Sequence, residues 1–118
     1  MTPAEFVNVL QESPLDVEFE EVLALIDAFY VYTPTRFTNG IGADPLVNEP
    51  GENEGSCKVF AFAKLHGLSE AQTLACFGRH YREGVLPHPE GTNHPNIRRF
   101  ISDGWRGIIF DGEPLLLR

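Results

Sequence analysis

The sequence predicts an α+β fold, mainly helical, with about five helices around a buried central helix (57–66) and a small β element that includes a C-terminal hairpin. Three observations carry this. Helix-start signatures recur along the chain. The decapeptide Cys57–His66 is apolar on nearly every side. The two extended stretches, YVYTPTRFTNG and GIIFDGEPLLL, are short and punctuated by proline or glycine. At 118 residues the chain suits one domain, 1–118, long enough to bury about two-thirds of its unfolded surface.

The elements follow in order. Thr2-Pro3-Ala4-Glu5 reads as a capping box, with proline in the first turn where its missing N–H costs nothing. Ser13-Pro14-Leu15-Asp16 repeats the device. Leu15, Phe19, Val22, Leu23, Ile26, Phe29 and Tyr30 then fall on one stripe of an amphipathic helix. Residues 30–40 are extended in character, and Pro34 confines any strand there to an edge or an end. Glycines and prolines from Gly40 to Gly55 mark an irregular loop of about 15 residues, long enough to suspect a task for it.

From Ser56 the run CKVFAFAKLH is interrupted only by Lys58, Lys64 and His66, the pattern of a helix wrapped by the rest of the fold. Ser69-Glu70-Ala71-Gln72 is another capping box. It opens a helix carrying Leu74, Phe77, Gly78 and Tyr81, and the tight link before it predicts an antiparallel helical hairpin. After the loop VLPHPEGTNHP, Pro95 starts a helix whose inner face is Ile97, Phe100 and Ile101, stopped at Gly104 with Trp105 covering the end. GIIF-DG-EPLLL has the form of a β-hairpin.

Charge divides the chain. Residues 1–55 hold eleven acidic residues against Arg36 alone, a net −10, and residues 56–118 a net +2, giving the −8 of the whole. That field repels phosphate backbones, so a nucleic-acid partner is not expected; a basic protein surface is the partner it would attract. No apolar run approaches the roughly 18 residues of a membrane span, and no export signal of basic and apolar blocks opens the chain. Two cysteines suit a reducing cytoplasm.

Cys57 is the first candidate for chemistry. At a helix start beside Lys58 its thiolate would be favoured, and the hairpin brings His80 opposite as a base. The competing reading is a small buried residue filling a packed helix start. Cys76, His80, His88 and His94 form C-x3-H-x7-H-x5-H, which matches no zinc signature. Asp44, Asn48, Glu49, Glu52, Asn53 and Glu54 lack the spacing of a calcium loop. No metal is assigned and no cofactor is implied. HPEGTNHPNIRRF places Asn96 and Arg98 where a helix start can meet an anion. Alternatively, Asn93 and His94 cap the helix while Arg98 and Arg99 pair with the acidic half. Ligand-binding candidates are therefore Glu54, Ser56, Lys58, His88, His94, Asn96 and Arg98.

YVYTPTRFTNG, NEGSCKVFAFAKLH, QTLACFGRHYREGVLPHPEG, NHPNIRRF and GWRGIIFDG, in this order between Tyr30 and Phe110, resemble the HopJ family of type III effector proteins. The resemblance implies injection through a secretion apparatus and assigns no reaction. The first 30 residues hold one serine, seven acidic residues and two helix starts, unlike a flexible polar export segment, so a cytoplasmic protein is expected. The functional expectation is a non-enzymatic binding or interaction module; the alternative is a small enzyme using Cys57 and His80. Oligomeric state is not legible in the sequence.

Overall fold

A computed structural model describes all residues, 1–118. Six α-helices run α1 (Pro3–Glu12), α2 (Phe19–Phe29), α3 (Glu54–Leu65), α4 (Glu70–Ala75), α5 (Arg79–Arg82) and α6 (Pro95–Asp103). Five short strands accompany them, β1 (Tyr30–Tyr32), β2 (Phe37–Asn39), β3 (Leu46–Asn48), β4 (Ile108–Phe110) and β5 (Leu115–Leu117). The class is α+β and mainly helical.

The capping boxes at Thr2 and Ser69 form, whereas Ser13 makes no side-chain cap bond. Thr2 and Glu5 exchange bonds at the start of α1, and Ser69 and Gln72 do so at α4. α3 lies in the middle of the molecule: Cys57 is 1% exposed, and Val59, Phe60, Phe62 and Ala63 are fully buried. Phe60 is the hub, with its ring centroid 5.0–6.4 Å from those of Phe37, Phe77, Phe100 and Trp105. The wrapping is incomplete at the C-terminal end, where Leu65 is exposed.

Four local expectations are corrected. Leu15 belongs to a 3-10 turn, Pro14–Asp16, and is exposed; α2 starts only at Phe19. The helix expected from Ser69 through Tyr81 breaks into α4 and α5 at Gly78, whose φ of +57° ends the first. A Cβ there would stand 2.7 Å from the backbone nitrogen of Phe19, so the break lets α2 approach. Ile101 is exposed, off the buried face of α6. The long loop between Gly40 and Gly55 contains β3, paired antiparallel with β2.

The C-terminal segment does not fold back on itself. β4 pairs with β2 and β5 pairs with β1, both antiparallel. The two pairings form one ribbon in a single register, from Phe29–Arg118 to Gly40–Gly107, with Thr33 N–H to Pro114 C=O and Asp111 N–H to Arg36 C=O bridging the gap. Pro34 and Pro114 cannot donate, which divides the ribbon into two short sheets. Its partner strand lies far upstream, so Asp111-Gly112 turns no hairpin. One hydrophobic cluster runs from Phe6 to Leu115 and joins ribbon and helices.

Candidate functional site

α3 and α6 begin unlike the capped helices. Their N-cap residues, Asn53 (φ +49°) and His94 (φ +50°), are left-handed, and they are the only non-glycine residues of positive φ in the chain. No side chain caps either start. The first intrahelical bonds are Cys57 N–H to Asn53 C=O and Arg98 N–H to His94 C=O, so the N–H groups before them face outward.

Buried amides hold these two starts together. Asn48, on β3, accepts at Oδ1 from Asn53 Nδ2 (2.7 Å) and Asn96 Nδ2 (2.9 Å). Asn96 Oδ1 accepts from Asn48 Nδ2 (3.2 Å) and Asn39 Nδ2 (3.0 Å). Asn39, Asn48 and Asn96 are at most 4% exposed, and Asn39 Oδ1 is a buried acceptor without a partner. Such groups are costly to desolvate unless bonded, so the network fixes the two starts relative to one another.

Between the starts lies a cavity of about 330 Å³. Asn53 and Ser56 line it from α3, His94 through Ile97 from α6, His80 from α5, and Phe19 and Phe77 from below. Gly55 lets the Phe19 ring pack against the first turn of α3, since a Cβ there would come within 2.6 Å of the ring. The His80 ring meets Phe19 edge-on at 5.0 Å and His94 at 5.1 Å between centroids, and its Nε2 is 4.0 Å from Glu20 Oε1. Burial holds the His94 imidazole below its ordinary pKa, helped by the charges of His80 and Arg98. Near pH 7 the cavity therefore offers a mostly neutral imidazole at His94, a hydroxyl, and the positive ends of two helix dipoles.

The sequence candidates separate. Ser56, His80, His94 and Asn96 come together in this cavity. Cys57 does not join them. One residue further round α3, its Sγ lies 3.7 Å from Thr35 C=O, no hydrogen bond links it to His80, and burial pushes its thiol up to about 11. Lys58 turns the other way, ion-paired to Asp27 (3.2 Å) and over the Tyr32 ring; Glu54 is exposed near Tyr32. Arg98 binds no acidic side chain. Its guanidinium donates to Asn93 C=O, His88 C=O and Asn93 Oδ1, clamping the 84–94 loop, and Asn93 is thereby occupied instead of capping α6. Arg99 pairs within its own helix, with Asp103 at 2.8 Å. His88 is exposed and Cys76 is fully buried, its thiol pushed up to about 12. No three His, Cys, Asp or Glu side chains are grouped as metal ligands.

Sequence reasoning missed Phe19 and Phe77, which read as core, and the role of Asn48 and Asn53, which were considered only for a calcium loop whose spacing they lack. A legible signal existed: asparagine or histidine directly before a helix start, in NEG and in NHP, tolerates the left-handed region better than most side chains.

No helix is long and apolar enough to cross a membrane. A search of curated proteins returned no match. Among solved structures, the chain is similar to a crystal structure described as that of the unknown function protein VPA0580. The two are 47% identical, the match covers all of this chain and 95% of the other, and the TM-score is 0.94. The model of the HopJ type III effector protein family matches residues 3–115. With nearly the whole length covered, this chain belongs to the HopJ family.

Proposed function

We propose that the chain is a binding module that takes a small anion, a carboxylate or phosphate, into the cavity between the starts of α3 and α6. The observation that carries this is the convergence of two uncapped helix starts with Ser56, His80 and His94 on one cavity. Helix starts present free donors and about half a positive charge each, which suits an anion held by its oxygens. The amide network supplies the rigidity that lowers the ordering cost of binding. A thiol reaction has little to support it, because a thiol near 11 is a thiolate in only about one molecule in ten thousand at pH 7.

Calorimetric titration with inorganic phosphate tests the reading. Saturable binding is expected, stronger at pH 5.5 than at pH 7.5, since a bound anion favours the protonated form of His94, whose pKa burial lowers. Binding unchanged in a His80→Gln/His94→Gly double variant would contradict it.

The family description is that of an effector. We nevertheless infer that this member acts in the cytoplasm of the cell that makes it. α1 carries a complete capping box, and Phe6 and Leu10 are buried in the core, so residues 3–12 are packed into the domain. Apparatus-dependent export of a reporter fused to residues 1–50 would overturn this. The acidic first half keeps the proposal of a basic protein partner, whose association should weaken steeply with salt.

A further inference from the structure

The cavity lining is mixed in chemistry. Ser56 and the imidazoles of His80 and His94 supply polar groups, and the Phe19 ring, stacked on Phe77 at 6.0 Å and 10° and met edge-on by His80, supplies apolar surface together with Ile97. A bare inorganic anion would engage only the polar groups. At about 330 Å³ the space is at the lower end of what small-molecule sites offer, which is far more than one ion needs.

The charge around the cavity is also graded. Glu20 Oε1 stands 4.0 Å from His80 Nε2, and Glu18 lines the adjoining depression with Glu20, Arg79 and His80. Arg79 and Arg82 are both paired with Glu18, and Arg98 is spent on loop carbonyls, so no free guanidinium reaches inward. Two imidazoles with no guanidinium behind them, and with the Glu20 carboxylate beside His80, suit a single negative charge better than two.

We propose that the ligand is a monoanionic organic acid with a flat apolar body: an aryl carboxylate, its carboxylate between Ser56 and the two histidines and its ring on Phe19. This rests on the anion-binding reading above and narrows it. Phe19 then sets specificity for the body, and Glu20 sets specificity for the charge.

The probes are acetate, benzoate, benzyl alcohol and phenyl phosphate, titrated into the intact protein while the amide resonances of Ser56 and Ile97 are followed. Each roughly 55 Å² of apolar surface covered is worth about tenfold in affinity, so benzoate is expected to bind at least about tenfold tighter than acetate. Benzyl alcohol, with the same ring and no charge, should bind at least about tenfold more weakly than benzoate. Benzoate should also exceed phenyl phosphate, and Glu20→Gln should shrink that preference severalfold without changing the acetate–benzoate ratio. Glu20 is largely exposed, so this variant is expected to fold.

Acetate and benzoate moving Ser56 with equal affinity would overturn the aryl acid and leave the anion site standing. Benzyl alcohol binding as tightly as benzoate would overturn both readings, as would no anion moving Ser56 or Ile97. An unchanged benzoate–phenyl phosphate ratio in Glu20→Gln would remove Glu20 from the proposal.

Discussion

Two kinds of helix start coexist in this chain. α1 and α4 open on Thr2 and Ser69, whose hydroxyls accept from the Glu5 and Gln72 N–H groups while those two side chains accept in return from the cap N–H groups. α3 and α6 open on left-handed Asn53 and His94 with no side-chain cap, and both meet one cavity. The first kind costs nothing and faces solvent. The second kind leaves donors open, holds two residues in a sparsely populated conformation, and needs a buried amide network to keep its shape. Strain of this sort persists where the surroundings enforce it, and it gathers at sites of function. On the binding reading proposed above, the difference separates the part of the molecule that only folds from the part that holds the ligand.

The comparison breaks most severely if the frame beneath it goes. Phe60→Ala empties the aromatic hub that joins α3 to Phe77 and to Phe100 of α6, and should cost about 3–5 kcal/mol in urea unfolding. Asn48→Ala acts on the open starts alone. It strips Asn53 and Asn96 of a shared acceptor, and the loss should be about 1–3 kcal/mol, together with weakened phosphate binding. Ser69→Ala, at a capped start, should cost about 1 kcal/mol and leave phosphate binding intact. The sharpest contrast is His94→Gly. Glycine accepts positive φ freely, so stability should stay within about 1 kcal/mol of the parent, while phosphate affinity falls at least about tenfold.

The smallest effect is with pH. Burial holds His66 and His94 below the ordinary histidine value, so the unfolded chain binds protons at these sites more readily than the folded one. Their contribution to stability is fully present above the unfolded value near 6.5 and is lost as pH falls through it and then through the folded values. Thermal unfolding of the free protein should therefore fall modestly in temperature from pH 7 to pH 5. Phosphate should oppose part of that fall by favouring protonated imidazole, and His94→Gly should remove some of it.

What could be read ahead of the structure followed the reach of the interactions. The capping boxes at Thr2 and Ser69 and the burial of Val59–Ala63 are local patterns, and they hold. The C-terminal hairpin was a local pattern overruled by a distant one: residues 108–117 find their partner at 30–39, and only the assembled ribbon shows this. Gly78 could be read as one more residue of a helix, because the approach of Phe19 that requires the break comes from another element. The site follows the same rule. Ser56 and Cys57 are neighbours in sequence, and the helical turn sends the hydroxyl into the cavity and the thiol toward Thr35. Histidines, asparagines and a serine were visible as candidates; which of them meet was set by Asn48, a strand residue inside what reads as a loop.

The central claim concerns backbone N–H groups, so it is tested most directly by following them. In a phosphate titration observed by amide nitrogen–proton correlation spectra, the first-turn amides of α3 and α6, Gly55, Ser56, Asn96 and Ile97, should shift together with one dissociation constant. Those of Glu5 and Gln72, already bonded to their caps, should stay in place. Equal movement at all four helix starts, or none at α3 and α6, would contradict the account.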